Sequence, residues 1–259
     1  YATVLSQFVA LIWQFWIFSN PKELIHLKRG IYSLRGDLMK NIIGIGISPF
    51  SMNVCACMVV IFINNQLVRF GGDMSVGAFG IANRIVFIFV MFVMGINQGM
   101  QPIAGYNYGA QKLDRMMQVV KLSIIAATVI MILGWFLAML APRQCVSLFT
   151  TDQHLIETTV HGMRRMMLML PIVGYQMVIT NFFQCIGKVK ISIFLSLSRQ
   201  LLFLLPALAL LPIWFGLDGV WLAQPVSDFI ASVVTAWIMI VYMHKFKLQH
   251  KENQYGRQE

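Results

Sequence analysis

The sequence predicts an all-α, polytopic membrane protein, built as a six-helix lobe preceded by the end of another helix. Three observations carry that expectation. The chain of 259 residues is 58% hydrophobic and only 12% charged, with a mean hydropathy of +0.71, whereas soluble domains carry about twice that charged fraction. The apolar residues gather in repeated, nearly uncharged runs of about 20 residues, the length a helix needs to cross a bilayer. Most of the Lys and Arg residues, which give a net charge of +10, fall between those runs. In a soluble protein such basicity would point to nucleic acid. Here the enrichment of basic residues in cytoplasmic loops is the simpler cause, and no nucleic-acid partner is expected.

Residues 1–18 are apolar and close on Trp13, Phe15, Trp16 and Phe18, the aromatic residues favoured at a membrane–water boundary. They read as the last helix of a missing amino-terminal lobe, with the chain beginning inside that helix. Asn20, Pro21 and Glu23 then supply an N-cap, a proline at the first helical position and a carboxylate in the first turn. Leu24, Leu27, Ile31 and Leu34 alternate with Lys22, Lys28, Arg29 and Arg35. The segment 19–40 therefore reads as a basic amphipathic linker on the membrane surface, with an ordinary basic loop as the alternative. Six spans are expected at 41–63, 76–100, 119–141, 162–185, 191–213 and 219–243, so that 41–243 is one lobe. Residues 244–259 read as a basic, disordered cytoplasmic tail.

Breaker residues set expectations inside the spans. Pro49, Pro171, Pro206, Pro212 and Pro225 are expected to break or bend their helices. Pro102 is expected to end or kink the second span, with Gly105 and Gly109 punctuating the loop beyond. Gly95 and Gly99 have the spacing that lets another helix approach closely.

Basic residues set the orientation. Lys22, Lys28, Arg29, Arg35 and Lys40 lie in the first loop, Lys112, Arg115 and Lys121 after the second span, Lys188 and Lys190 after the fourth, and Lys245, Lys247, Lys251 and Arg257 in the tail. The alternate connections hold only Arg69 and Arg143. That asymmetry places the first loop and the carboxy terminus in the cytoplasm, with a bacterial-style inner membrane as the location.

Polar side chains inside spans are costly unless they find partners or water, so each is a functional candidate. Asn97, Gln98, Gln101, Arg84, Asn181, Gln184, Arg199 and Gln200 are candidates for a translocation cavity or an inter-helix polar hub. Arg199 lies near the middle of its span and is read as a hydrogen-bonding hub ahead of a direct substrate contact. Arg164 and Arg165 lie near a span end, where they can snorkel. Asp228 is the one carboxylate well inside a span and the candidate coupling acid, with a structural anchor as the equal alternative. The 18 Met and 19 Phe residues could line a cavity tolerant of apolar cations or simply fill the core. Cys55, Cys57, Cys145 and Cys185 show no framework or metal-ligand spacing. No metal site, cofactor, nucleophile set or phosphate-binding loop is expected, so the protein reads as no enzyme, and any transport is secondary.

The stretch from Gly95 and Gly99 through Met100-Gln101-Pro102-Ile103-Ala104-Gly105-Tyr106-Asn107-Tyr108-Gly109-Ala110 resembles the segment leaving the eighth helix of multidrug and toxin extrusion (MATE) transporters. Ala2-Thr3-Val4-Leu5-Ser6-Gln7, Phe183-Gln184-Cys185-Ile186-Gly187-Lys188, Gly219-Val220-Trp221 and Pro225-Val226-Ser227-Asp228 fit the same family in order. The resemblance implies helices 7–12 of a twelve-helix fold of two lobes. It also implies efflux of small amphipathic or cationic substrates across the lipid bilayer, driven by a proton or sodium gradient. Some branches keep an acidic cation ligand in the helices corresponding to 41–63 and 162–185. This sequence has none there, which fits a branch whose titrating Asp lies in the first helix of the missing lobe. A lipid-linked precursor or polysaccharide flippase of related fold, and a non-transporting membrane scaffold subunit, are the alternatives.

Overall fold

The structure is a computed structural model and describes residues 2–20 and 36–255. The chain divides into two units, Tyr1–Phe50 and Ser51–Glu259. In the first, α1 (Ala2–Phe18) is apolar and exposed along its length, with the Trp13 and Trp16 rings 5.5 Å apart one turn from its end. Most of the amphipathic linker expected over 19–40, residues 21–35, lies outside the described residues.

α2 (Gly36–Gly109) is 74 residues long. That is about 110 Å at 1.5 Å per residue, several times the roughly 30 Å of bilayer hydrocarbon. Its backbone breaks at Gly72, where φ is 69° and ψ is −175°, a conformation that glycine adopts without a Cβ penalty. The two arms pack into different clusters. Val59, Ile63 and Leu67 pack with Leu204, Leu208, Val220 and Ala223. Ala78, Ala82, Ile85 and Val93 pack with Met116, Val120, Met131 and Phe182. The break therefore separates two spans.

α3 (Leu113–Leu140) buries Met116, Val120, Ala127, Met131 and Ala138, a stripe at helical spacing. Its main partner is α6 (Leu170–Cys185). Between them lie α4 (Pro142–Ser147) and α5 (Gln153–Met166), the latter N-capped by the Asp152 carboxylate, which accepts from the His154 amide at 3.0 Å. α5 and α6 meet at 57°. The span expected over 162–185 is thus two helices broken at Met167–Met169, beside the proline expected to break it. Pro171, in the first turn of α6, explains the break, because its ring cannot be accommodated by a helix continuing from α5.

The next pass is α7 (Val189–Leu197), a seven-residue π-helical segment (Ser198–Leu204) and α8 (Leu205–Phe215). Gly216, at φ 58°, turns the chain into α9 (Leu217–Tyr255). Among the described residues four stretches are long and apolar enough to cross a membrane: Asn53–Gly109, Leu113–Leu140, Val189–Phe215 and Leu217–Met243; the bent pair adds a fifth. The Gly72 break splits the first of these into two passes.

Several expectations are corrected. Pro102 does not end its helix, and Gly105 and Gly109 are helical. The turn comes at Ala110–Lys112, with Gln111 at φ 58°. A proline removes only one ladder bond, and backbone bonds continue beyond it, such as Ala110 N to Tyr106 O at 2.9 Å. Pro49, Pro212 and Pro225 also lie within helices. Gly95 and Gly99 meet no helix among the described residues, since a Cβ on either would have no neighbour within 4 Å. Close approach occurs instead at Gly174, against the Ala127 carbonyl, and at Gly162, under the Trp221 indole. α9 continues past Met243 to Tyr255, where a disordered tail was expected.

Candidate functional site

A cavity of about 450 Å³ opens inside the second unit. Its wall comes from the second arm of α2 (Asn83, Val86, Phe87, Val90, Met94, Asn97), the end of α5 (Met166) and α6 (Leu170, Val173, Gln176, Met177, Thr180, Asn181, Gln184). Leu195, Ser196, Arg199 and Gln200, from α7 and the π segment, and Gln224 and Asp228, from α9, complete it. The α6 residues recur at three- and four-residue spacings, so one face of that helix lines the cavity while Gly174 and Val178 lie off that face. Amides alternate with thioethers and apolar side chains, an adaptable lining for amphipathic molecules.

The charged side chains on the wall form a pair. Arg199 Nη1 donates to Asp228 Oδ1 at 3.3 Å, and Gln224 also hydrogen-bonds that carboxylate. Asp228 is buried, and Arg199 is about a quarter exposed, with 28% of its side-chain surface open. Ser227 Oγ donates to the Arg199 carbonyl at 2.9 Å, so neighbouring residues of α9 hold both the backbone and the guanidinium of Arg199. The π segment widens the helix where Arg199 sits, a distortion common at functional sites. Two buried wall residues, Asn97 and Gln176, have side-chain oxygens with no hydrogen-bond donor among the described residues.

The structure brings Asn97, Asn181, Gln184, Arg199, Gln200 and Asp228 to one cavity. Gln101 stands behind that wall and donates from Nε2 to Asn181 Oδ1. Gln98 and Arg84 are exposed and do not line it. Asn83, Gln176, Thr180, Ser196 and Gln224 belong to the wall and were not singled out from the sequence. Their signal was present in Asn83 and Gln176, which recur at helical spacing with Asn97 and Gln184 respectively. In the last turns of α5, Arg165 and His161 both contact the Asp218 carboxylate at the start of α9, the latter at 3.2 Å. Among the described residues no group of three or more His, Cys, Asp or Glu side chains is assembled to hold a metal ion.

A family model described as MatE matches residues 47–208. The chain belongs to the MatE family. The members of that family are transporters rather than enzymes, and this chain is a multi-pass membrane protein. Among its relatives, the multidrug export protein MepA of Staphylococcus aureus strain MSSA476 is 24% identical over 246 residues, which is 95% of this chain and 53% of MepA. Among solved structures, the MATE multidrug transporter DinF-BH, solved in a ligand complex, is 36% identical with a TM-score of 0.77, over 92% of this chain and 54% of that one. A MATE transporter in complex with MaL6 shares the fold at TM-score 0.81 and 21% identity, over 95% of this chain and 56% of that one. The chain therefore spans about half the length of the curated relatives it matches.

Proposed function

We propose that this MatE chain forms one lobe of a secondary active efflux transporter, a cation-coupled antiporter that exports small amphipathic or cationic molecules. The observation that carries this reading is the cavity of about 450 Å³ with a mixed wall of amides, methionines and apolar side chains within the membrane-spanning helices. Such a wall can hold ligands of varied shape, because thioethers and amides repack at low cost. The relatives' names, with multidrug export among them, support the same reading. A partner lobe supplied by an amino-terminal sequence would complete the transporter and close the other side of the route. The coupling acid belongs in that lobe, since Asp228 is already committed to Arg199. The driving force is a proton or sodium gradient, with no cofactor. The location is the inner membrane, with the first loop and the carboxy terminus cytoplasmic, following the distribution of Lys and Arg. A flippase for lipid-linked precursors would need unpaired cations for a diphosphate, and the cavity's one guanidinium is paired.

The test is accumulation of the fluorescent cation rhodamine 6G in everted vesicles from cells that express this chain together with the amino-terminal lobe proposed above. Accumulation should require a proton or sodium gradient and fail when ATP is supplied together with ionophores that collapse both gradients. Accumulation equal to that of vesicles lacking the protein would overturn the proposal and favour a scaffold role.

A further inference from the structure

The electrical character of the cavity is set by two residues. Arg199 and Asp228 are the charged side chains among those lining it, and they face each other across 3.3 Å. The Ser227 hydroxyl fixes the Arg199 carbonyl at 2.9 Å, so the two helices are clamped at adjacent positions and the ion pair is not a chance surface contact. We infer that Arg199 sets the charge preference of the cavity: by occupying the Asp228 carboxylate it leaves the wall electrically neutral, so a ligand is chosen by the hydrogen bonds it donates and its apolar area rather than by positive charge.

A second observation points to the same ligand chemistry. Asn97 and Gln176 are 2% and 3% exposed, both line the cavity, and neither side-chain oxygen has a donor among the described residues. A buried acceptor without a donor is unfavourable. An N–H or O–H group on the ligand relieves it, and a carboxylate cannot. The ligand class is therefore an amphipathic molecule bearing hydrogen-bond donors, whether cationic or neutral. This deepens the efflux reading above and rests on the cavity being its binding site.

The experiment uses one coumarin fluorophore carrying an amidinium, a carboxamide or a carboxylate, bound to the purified protein in phosphatidylcholine nanodiscs and followed by fluorescence polarisation. The protein should bind amidinium and carboxamide within about threefold of each other, and carboxylate more weakly. Arg199→Gln should raise the amidinium preference over carboxamide by about tenfold, the scale expected when a partly buried charge loses its partner. Asp228→Asn should reverse it, favouring carboxamide and strengthening carboxylate. Arg199→Lys and the double variant should restore the original order. Asp228→Asn leaves a partly exposed guanidinium behind, so it carries the test if Arg199→Gln fails to accumulate.

Thr180→Trp, which fills the cavity, separates two failures. If Thr180→Trp abolishes binding but the probe order is the same in every charge variant, the charge rule is wrong and the cavity reading stands. If binding survives Thr180→Trp, or no probe binds at all, the cavity reading falls and the charge rule with it.

Discussion

Replacing Gly174 by Ala tests whether α3 and α6 form a rigid seam behind the cavity wall. A Cβ built on Gly174 lies 2.9 Å from the Ala127 carbonyl oxygen, 3.0 Å from its carbon and 3.1 Å from Met131 Cγ. The first two neighbours are backbone. Relief therefore means moving α3 away from α6, along a core that includes the fully buried Met131, Val178 and Phe182. Overpacking of this kind costs about 1–3 kcal/mol. Ala also gains about 1 kcal/mol over Gly from helix propensity, which hides part of the clash. Gly95→Ala and Gly99→Ala supply the correction, since both sites are helical and a Cβ there meets open space. The difference between Gly174→Ala and these controls isolates the clash. Thermal unfolding in detergent, followed by tryptophan fluorescence, should place Gly174→Ala about 3–9 °C below both controls. Equal melting of all three variants would refute the close α3–α6 packing.

Three further outcomes are expected. Asp228→Asn should slow efflux from proteoliposomes while its dependence on an imposed pH or sodium gradient persists; loss of ion dependence in this variant would move the coupling site to Asp228. Cys145 is buried, and burial pushes its thiol pKa above the ordinary value. Its thiolate fraction is therefore depressed at any pH below that raised value, so alkylation by iodoacetamide should keep accelerating where the rate at an exposed Gln144→Cys has levelled off; coincident pH profiles would contradict this. A membrane-impermeant maleimide should reach a cysteine at Lys112 only in opened cells and one at Gln144 in intact cells, and labelling of position 112 in intact cells would reverse the orientation.

The all-α membrane class was legible because apolar length is a strong, additive signal. What escaped was where along a helix the distortion falls. Ser198–Leu204 contains no Gly or Pro, yet it is π-helical; Pro206, just beyond it, has no N–H for the Leu202 carbonyl and its ring crowds that carbonyl, so the distortion falls ahead of the breaker and not at it. Conversely Pro102 looked like a stop and sits in a continuous helix. The site was legible by residue type but not by direction. Asn97 and Gln98 are adjacent and equally costly in hydrocarbon, but about 100° of helical rotation puts one in the cavity wall and the other outside it. The same rotation separates Asn83, on the wall, from Arg84, which is exposed. Only the tertiary packing fixes that phase. The ion pair between Arg199 and Asp228 joins residues on different helices, and neither residue alone announces the other.

The most direct test of the account is chemical modification inside the cavity. In a background with the four native cysteines replaced, Thr180→Cys places a thiol on the cavity wall, and Leu140→Cys places one on the exposed end of α3. A bulky methanethiosulfonate should abolish rhodamine 6G efflux in the first and spare it in the second, and excess substrate should slow the reaction at position 180 alone. Efflux that survives complete modification of Thr180→Cys would contradict the claim that this cavity is the transport route.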